Sequence, residues 1–168
     1  MYSLENYNMF NIIRDTKRGG GVTMYVHKSL KACLEKQLSY CTASIEFLTL
    51  QVFPKPMSTY SELFSVIYRP PNSCHKEFIS NLNNSFSQHS NKNWHLLGDF
   101  NIDILKYNSN VQAFYNMLES YNFSPKITKP TRISSKTSTL IDNIFNNTRS
   151  NSQSGILIHD ISDHLPIF

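Results

Sequence analysis

Apolar and polar side chains alternate in several short segments of this chain, and the alternation limits what these segments can form. Val22–His27, Ser44–Phe53 and Glu62–Tyr68 each follow a period of two, which is typical of half-buried β-strands. The second run ends at Pro54 and the third is followed by two prolines, which cannot donate to a strand ladder. Because a short polar loop joins these two runs, we predict an antiparallel pair.

Two other segments show helical periodicity. Phe78, Leu82 and Phe86 recur every four residues after Ser73, which we predict to be the N-cap of a helix. A second helix is predicted over residues 111–121, with one apolar stripe: Val111, Phe114, Leu118 and Tyr121.

Further strands are predicted in the second half of the chain: Trp94–Leu97 ending at Gly98, Leu140–Phe145, Gly155–His159, and a strand starting in Ser162–Phe168. Strands outnumber helices, and the helices lie between them in the sequence. This order predicts an α/β or α+β layered domain with a mixed sheet.

Composition excludes some classes and leaves others open. A chain of 168 residues suits one domain. Sixteen Lys and Arg against twelve Asp and Glu give a net charge of +4, which is compatible with nucleic-acid binding, although no basic run marks a binding arm. Three cysteines without CxxC spacing argue against a disulfide scaffold and a zinc site. The sequence shows no signal peptide and no long apolar stretch, so we expect an intracellular protein without a membrane span.

The segment Gly98-Asp99-Phe100-Asn101 follows a predicted strand directly. Gly98 would let the chain turn there. Asp99 and Asn101 are two residues apart, so in an extended segment they point to the same side. A carboxylate can then accept a proton from water while the carboxamide fixes that water. Alternatively, both side chains make local hydrogen bonds in an ordinary turn.

Three further parts of the sequence could carry chemistry. Asp163 and His164 follow a predicted strand and could bind a metal and a phosphate, or form a polar turn before a proline. Asp142 lies inside an apolar strand, where it could orient a histidine or face solvent at a sheet edge. Tyr68 and Arg69 end another strand, and both can donate to a phosphate oxygen, although a tyrosine packed at a sheet margin is also common.

The three glycines Gly19-Gly20-Gly21 follow Lys17-Arg18. They lack the spacing of known phosphate-binding loops, so a tight turn before the next strand is the better interpretation. The histidines at positions 27, 75, 89, 95 and 159 show no metal-ligand spacing and are interpreted as surface or core residues.

These signals occur in a fixed order. KRGGGVTMYV, SVIYRPPN, LLGDFN, KPTR, STLIDNIF and ISDHLPIF follow one another from about Tyr7 to Phe168. In this order the chain resembles the endonuclease/exonuclease/phosphatase superfamily, and within it the endonuclease domain of non-LTR (LINE-type) retrotransposons, which is related to apurinic/apyrimidinic endonucleases. The resemblance implies a four-layer α/β (α+β) sandwich of two mixed β-sheets flanked by helices, with the site at one edge of the sheets.

The resemblance also implies roles for matching residues. Asp99 would activate water or protonate at the attacked phosphate, and Asn101 would orient the water and the phosphate. Tyr68 would donate to the phosphate. These roles fit phosphodiester hydrolysis, which needs a deprotonated water and neutralisation of charge on the phosphate oxygens.

At the C-terminal motif, the resemblance implies that His164 contacts the scissile phosphate and that Asp142 holds its imidazole. Asp163 would lie at or next to a divalent metal, Mg²⁺ or Mn²⁺, because oxygen ligands dominate the site. Ser162 belongs to the motif without an assigned role.

The family begins with a strand that ends in an asparagine and a second strand that ends in the main metal-binding glutamate. Glu5 does not follow an apolar run, so we do not assign it that role. We therefore expect residues 1–168 to be one partial domain, truncated at both ends, with metal binding weakened by the missing ligand.

Three functions follow as hypotheses. The first is a metal-dependent DNA endonuclease that nicks target DNA in the nucleus, next to a fused or neighbouring reverse transcriptase. The second is a catalytically inactive fragment that retains weak nucleic-acid binding. The third is a phosphatase or phosphodiesterase of the same superfamily with another substrate.

Overall fold

The computed structural model describes residues 3–14, 19–55, 57–148, 152–159 and 162–168. Within these residues the chain forms two α-helices and eleven strands: β1 (Tyr7–Ile12), β2 (Val22–His27), β3 (Lys31–Leu34), β4 (Tyr40–Cys41), β5 (Glu46–Phe53), β6 (Glu62–Tyr68), α1 (His75–Ser87), β7 (Trp94–Asp99), α2 (Ser109–Ser120), β8 (Ser124–Pro125), β9 (Arg132–Ile133), β10 (Ser138–Thr139) and β11 (Asp142–Asn146).

A seven-stranded sheet forms the centre of the molecule. Its strands lie in the order β3-β5-β6-β7-β11-β8, and β4 also pairs with β5. The β6–β7 pair is parallel, and the other pairs are antiparallel, including the predicted β5–β6 pair. The sheet is therefore mixed, as the sequence pattern predicted, and the α+β class is confirmed.

Both helices cover one face of this sheet. Phe78, Leu82 and Phe86 of α1 are at most 1% exposed, as the helical periodicity predicted. Val111, Phe114, Met117 and Leu118 of α2 join them against inward-facing residues of β5, β6, β7 and β11. The amphipathic stripe explains why both segments are helical, since burying one face gives most of a helix's stability.

A small antiparallel sheet of β1 and β2 covers part of the opposite face. Val22 and Val26 pack there with Leu48 and Leu50 of β5. Sequence analysis did not predict β1, because its residues are only half-buried or exposed and show no clean alternation. The third sheet is the short pair of β9 and β10.

Gly98 does not end its strand, contrary to the prediction. β7 continues through Gly98 to Asp99. The φ angle of Gly98 is +146°, and a Cβ atom at this position would collide with the carbonyl oxygen of Ile67 on β6. Gly98 is therefore needed where two parallel strands approach closely, and not to turn the chain.

Two of the predicted boundaries differ from those in the structure. Ser73 is not the N-cap of α1, because Cys74 holds that position without a side-chain hydrogen bond. The strand predicted at Leu140–Phe145 instead spans Asp142–Asn146.

The two predicted C-terminal strands are reduced to isolated bridges. Gly155 and Phe168 exchange two backbone hydrogen bonds of 2.9 and 3.0 Å, and Ile156 forms one bridge with Ile167. Of the apolar residues that suggested a strand in 155–159, Leu157 and Ile158 are exposed, at 53% and 95%, and Ile156 is half-buried. Little packing therefore stabilises a longer strand in this segment.

Candidate active site

Strand pairing places one polar residue from each of four adjacent strands in a single row. Glu46 of β5 pairs with Tyr68 of β6, Tyr68 pairs with Asp99 of β7, and Asp99 pairs with Asp142 of β11. Residues that pair directly point to the same face of a sheet. Each of the four residues is the first or the last of its strand, so the row crosses the sheet where these strands end, on the face opposite the helices.

Asp99 and Asn101 are in direct contact. The Asn101 side-chain amide donates to Asp99 Oδ2 at 2.9 Å and to the Arg69 carbonyl at 2.9 Å. The Asn101 backbone N–H donates to Asp99 Oδ1 at 2.8 Å. Asn101 has a φ of +46°, a left-handed conformation that asparagine tolerates better than most residues. The local hydrogen bonds of the turn interpretation thus coexist with the side-by-side arrangement.

Asp142 and His164 form the second contact of the site. His164 Nδ1 lies 3.1 and 3.0 Å from the two carboxylate oxygens of Asp142. Thr131 Oγ1 accepts the Asp142 backbone N–H at 3.0 Å, and Ser162 Oγ accepts the His164 backbone N–H at 3.1 Å. This carboxylate fixes the tilt of the imidazole and leaves Nε2 as the nitrogen that can face a substrate.

Asp99 carries the perturbed carboxyl of the site. Burial raises its pKa above the ordinary value of 3.8, and the nearby charge of Asp142 raises it further. The Asn101 backbone N–H, His164 and Arg132 act in the opposite direction. A half-buried carboxyl next to a second carboxylate holds a proton more readily than a free aspartate, which suits an acid–base group.

Asp163 lies apart from these residues. The Arg132 Nε donates to its Oδ2 at 2.7 Å, and both side chains are about half exposed, at 46% and 47%. The Arg132 guanidinium lowers the pKa of Asp163. The predicted metal ligand is therefore engaged in an ion pair, and its role as a ligand stays a prediction.

Arg69 does not face a substrate, contrary to the prediction for the strand end of Tyr68 and Arg69. It is 2% exposed, and its two Nη atoms donate to the carbonyls of Asn101 at 3.1 Å and Ser73 at 2.5 Å. Its guanidinium carbon lies 5.7 Å from the ring centre of Phe78. Burial lowers its pKa. Arg69 thus stabilises the backbone turn at Asn101 from the interior of the protein.

Sequence analysis assigned no role to Thr131 and Arg132, although both belong to the KPTR motif. Thr131 is fully buried and accepts the Asp142 backbone N–H, and Arg132 binds Asp163. The KPTR motif marked both residues in the sequence. It could not show what they contact, because Asp142 and Asp163 are distant from them in the sequence.

The donor set fits a hard divalent cation. Within the described part of the chain, Asp99, Asp142 and His164 form one group whose ligand atoms all lie within 4.8 Å of one another. Two of the three offer carboxylate oxygens, which Mg²⁺ and Mn²⁺ prefer.

Neither described helix is long and apolar enough to span a membrane.

Solved structures share this fold at low identity. The endonuclease domain of TRAS1, a telomere-specific non-LTR retrotransposon, superposes with a TM-score of 0.75 at 13% identity, covering 98% of this chain and 77% of that domain. An endonuclease/exonuclease/phosphatase family protein from Leptotrichia buccalis gives a TM-score of 0.64 at 17% identity, over 99% of this chain and 72% of the other. The human nocturnin catalytic domain with bound sulfate gives a TM-score of 0.64 at 12% identity, over 96% and 70%.

No curated protein sequence matches the chain. A sequence-family model described as endonuclease-reverse transcriptase matches residues 63–168, which is more than half of the chain and includes Tyr68, Asp99, Asn101, Asp142 and His164. By this match the chain belongs to the endonuclease-reverse transcriptase family, and its fold is that of endonuclease/exonuclease/phosphatase proteins.

Proposed function

We propose that this domain hydrolyses a phosphodiester bond of DNA and nicks one strand. The observation that carries the proposal is that two hydrogen-bonded pairs, Asp99 with Asn101 and Asp142 with His164, lie together at the ends of neighbouring strands. Membership of the endonuclease-reverse transcriptase family supports it. In the full-length protein, the nick would leave a 3′-hydroxyl for a reverse transcriptase, and nuclear DNA would be the target.

Asp99 and Asn101 would handle the attacking water. The carboxylate takes one proton as the water oxygen bonds to phosphorus, and the bond from phosphorus to the 3′ oxygen breaks. The 3′ oxygen leaves with the bonding electron pair and takes a proton from solvent, which gives a 3′-hydroxyl and a 5′-phosphate. The Asn101 amide donates its two hydrogens to Asp99 and to the Arg69 carbonyl, so its Oδ1 is left to accept a hydrogen bond from the water and fix its position. Burial of Asp99 favours this role, because a raised pKa makes a carboxylate a stronger base.

His164 and Tyr68 would contact the phosphate oxygens. The Asp142 carboxylate holds Nδ1 of His164 and orients the ring, so that Nε2–H of an imidazolium can donate to the phosphate. The Tyr68 hydroxyl would donate from the neighbouring strand. Such donors act where negative charge develops during the reaction.

Asp99 would hold Mg²⁺ or Mn²⁺ within this group, through the carboxylate oxygen that does not take the proton. Asp163 would join it as a ligand only after Arg132 releases it. When bound, the cation supplies positive charge that neutralises the non-bridging phosphate oxygens.

A nicking assay on supercoiled plasmid with Mg²⁺ tests the proposal. We expect the wild-type domain to convert supercoiled DNA to open circles with ligatable 3′-hydroxyl ends. The Asp99→Asn variant should be slower by about 10³-fold, the scale of a lost general base. Glu77→Gln is the matched control, because this exposed carboxylate lies on α1.

Equal rates for the wild type and Asp99→Asn would contradict the proposal. DNA binding without nicking would instead favour a non-catalytic nucleic-acid-binding domain. Release of phosphate from a soluble phosphomonoester without any DNA cleavage would favour a phosphatase.

A further inference from the structure

Glu46 is a buried carboxylate at the start of β5, next to the proposed site. Its side chain is 1% exposed, and its residue pairs directly with Tyr68 on β6. Its two oxygens accept hydrogen bonds from Arg14 Nε and from the Gly21 backbone N–H, the latter at 2.8 Å. A carboxylate placed so deeply needs such partners, since an unpaired buried charge is strongly destabilising.

Arg14 connects this carboxylate to Tyr68. Its guanidinium carbon lies 5.6 Å from the centre of the Tyr68 ring, within the range of a cation–π contact. Glu46 fixes the Arg14 guanidinium from one side, and the Tyr68 ring lies against it from another. Glu46, Arg14 and Tyr68 therefore form a continuous set of contacts that ends one strand away from Asp99.

The glycines Gly20 and Gly21 make room for the contacts of Arg14 with Glu46 and Tyr68. Gly21 has a φ of +121°, and a Cβ there would lie 2.5 Å from the Ile12 carbonyl oxygen. Gly20 has a φ of +92°, and its Cβ would lie 2.8 Å from the Arg14 side chain. Glycines are therefore needed at these positions. Only residues without a Cβ atom let the chain pass so close to Arg14 while the Gly21 N–H donates to Glu46.

A purely structural role explains this arrangement poorly. Replacing a buried ion pair by apolar residues is often neutral or stabilising, so the pair adds little to stability by itself. Both charges lie beside a residue that the proposed mechanism uses, and Arg14 and Tyr68 line one open cleft of about 410 Å³ with the three glycines. Lys17 and Arg18, which precede the glycines, lie outside the described residues.

We infer that Arg14 and Glu46 are positioning residues that hold the Tyr68 phenol at the phosphate site. The inference rests on the proposed function for its kinetic consequence, but the contact itself is independent of activity. Arg14 and Glu46 need not touch the substrate. They act by restricting where the Tyr68 ring can lie.

Fluorine NMR tests the contact without any enzymatic readout. 3-Fluorotyrosine placed at position 68 is expected to give one narrow resonance in the wild type. The Arg14→Ala variant should shift or broaden this resonance, because the cation over the ring is lost. Lys31→Ala is the matched control, since it removes a cation that lies 4.8 Å from the Phe53 ring at the other end of β5.

An unchanged resonance in Arg14→Ala would overturn the inference. Circular dichroism establishes that each variant is folded. If Arg14→Ala does not fold, Arg14→Gln and Glu46→Gln take its place, because each removes one charge of the pair and keeps much of the side-chain volume. These variants should also move the resonance, and no change in either would overturn the inference in the same way.

A double-mutant cycle then separates positioning from general damage. Arg14→Ala should lower kcat for DNA nicking by about tenfold, the scale of a misplaced catalytic contact, with little change in KM. In the Y68F background, Arg14→Ala should cause no further loss, because the hydroxyl that it positions is already absent. Equal losses in both backgrounds would show general damage and contradict the inference.

Failure of the proposed function would give a different pattern. In that case the wild type and Asp99→Asn would nick DNA equally, while the fluorine resonance would still decide whether Arg14 fixes the Tyr68 ring.

Discussion

The two faces of the central sheet use the same strands for different purposes. On the helix-covered face, Phe47 and Trp94 lie in an aromatic core and are at most 1% exposed. On the opposite face, the residues that alternate with them include Glu46, Tyr68 and Asp99, which belong to the polar row. Because successive side chains of a strand point to opposite faces, one strand supplies both stability and chemistry.

This division implies that substitutions on the two faces should have separable effects. Changes on the helix-covered face should alter the free energy of unfolding, whereas changes in the polar row should alter activity. Polar groups in the row are held close together at a cost in desolvation and repulsion, as the raised pKa of Asp99 indicates. Active sites commonly carry such a cost.

The largest effect on stability is expected from Phe86→Ala. Phe86 is 1% exposed and contacts the rings of Trp94, Tyr121 and Phe123. The lost ring should lower the free energy of unfolding by about 3–5 kcal/mol, which urea unfolding measures. Phe86 contacts Trp94 at the start of β7, whereas Asp99 lies at the other end of this strand. Nicking per folded molecule should therefore be unchanged. A large loss of specific activity would contradict the separation of the faces.

The second prediction concerns Asp142→Asn on the opposite face. Without the carboxylate, the orientation of the His164 ring is less fixed, so nicking should slow by about 10²-fold. The double variant Asp142→Asn/His164→Ala should be no slower than His164→Ala alone, since the two residues act as a unit. Independent, additive losses would argue that Asp142 acts on something other than the imidazole.

The third prediction tests whether Asp163 binds the metal. Removing the guanidinium in Arg132→Ala frees the Asp163 carboxylate, so Mg²⁺ binding measured by calorimetry should become a few-fold tighter. Asp163→Asn should weaken it, and Arg132→Lys, which keeps the charge, serves as the control. Unchanged Mg²⁺ affinity in both Arg132→Ala and Asp163→Asn would mean that Asp163 is not a ligand and would leave Asp99 in that role.

Alternation and periodicity predicted the elements that have one fully buried face. The bounds of β2 and β6 agree with the prediction, and the apolar stripes of both helices lie in the core. The strands that sequence analysis missed, such as β1 and β3, are short or only partly covered, so their residues are not constrained to alternate. The opposite error occurred in residues 155–159, where exposed apolar residues imitated a strand.

Within the site, motifs at strand ends were easier to recognise than their supports. Asp99, Asn101 and His164 stand next to apolar runs, which is where functional groups are expected. Glu46 could not be recognised in this way, because a glutamate in an alternating strand is typical of an exposed position. Only the register of β5 with β6 and the approach of Arg14 place it inside the molecule. Its role depends on tertiary contacts that local sequence does not encode.

The smallest expected effect is on the pH dependence of stability in Asp99→Asn. Burial, and then the charge of Asp142, raise the folded-state pKa of Asp99 above 3.8. Below pH 3.8 this carboxyl is mostly protonated in both the folded and the unfolded chain, so it contributes little difference between them. As the pH rises from 3.8 through the folded-state pKa, the folded protein must carry a half-buried charge that the unfolded chain carries in water, and wild-type stability falls. Asp99→Asn lacks this charge, so its free energy of unfolding should exceed that of the wild type by an amount that grows over this interval and is constant at higher pH. Urea unfolding across this range measures the difference, with Glu77→Gln as an exposed control. A difference that stays constant with pH would mean that Asp99 ionises as easily in the folded protein as in water, and the polar row would then carry no electrostatic cost at this position.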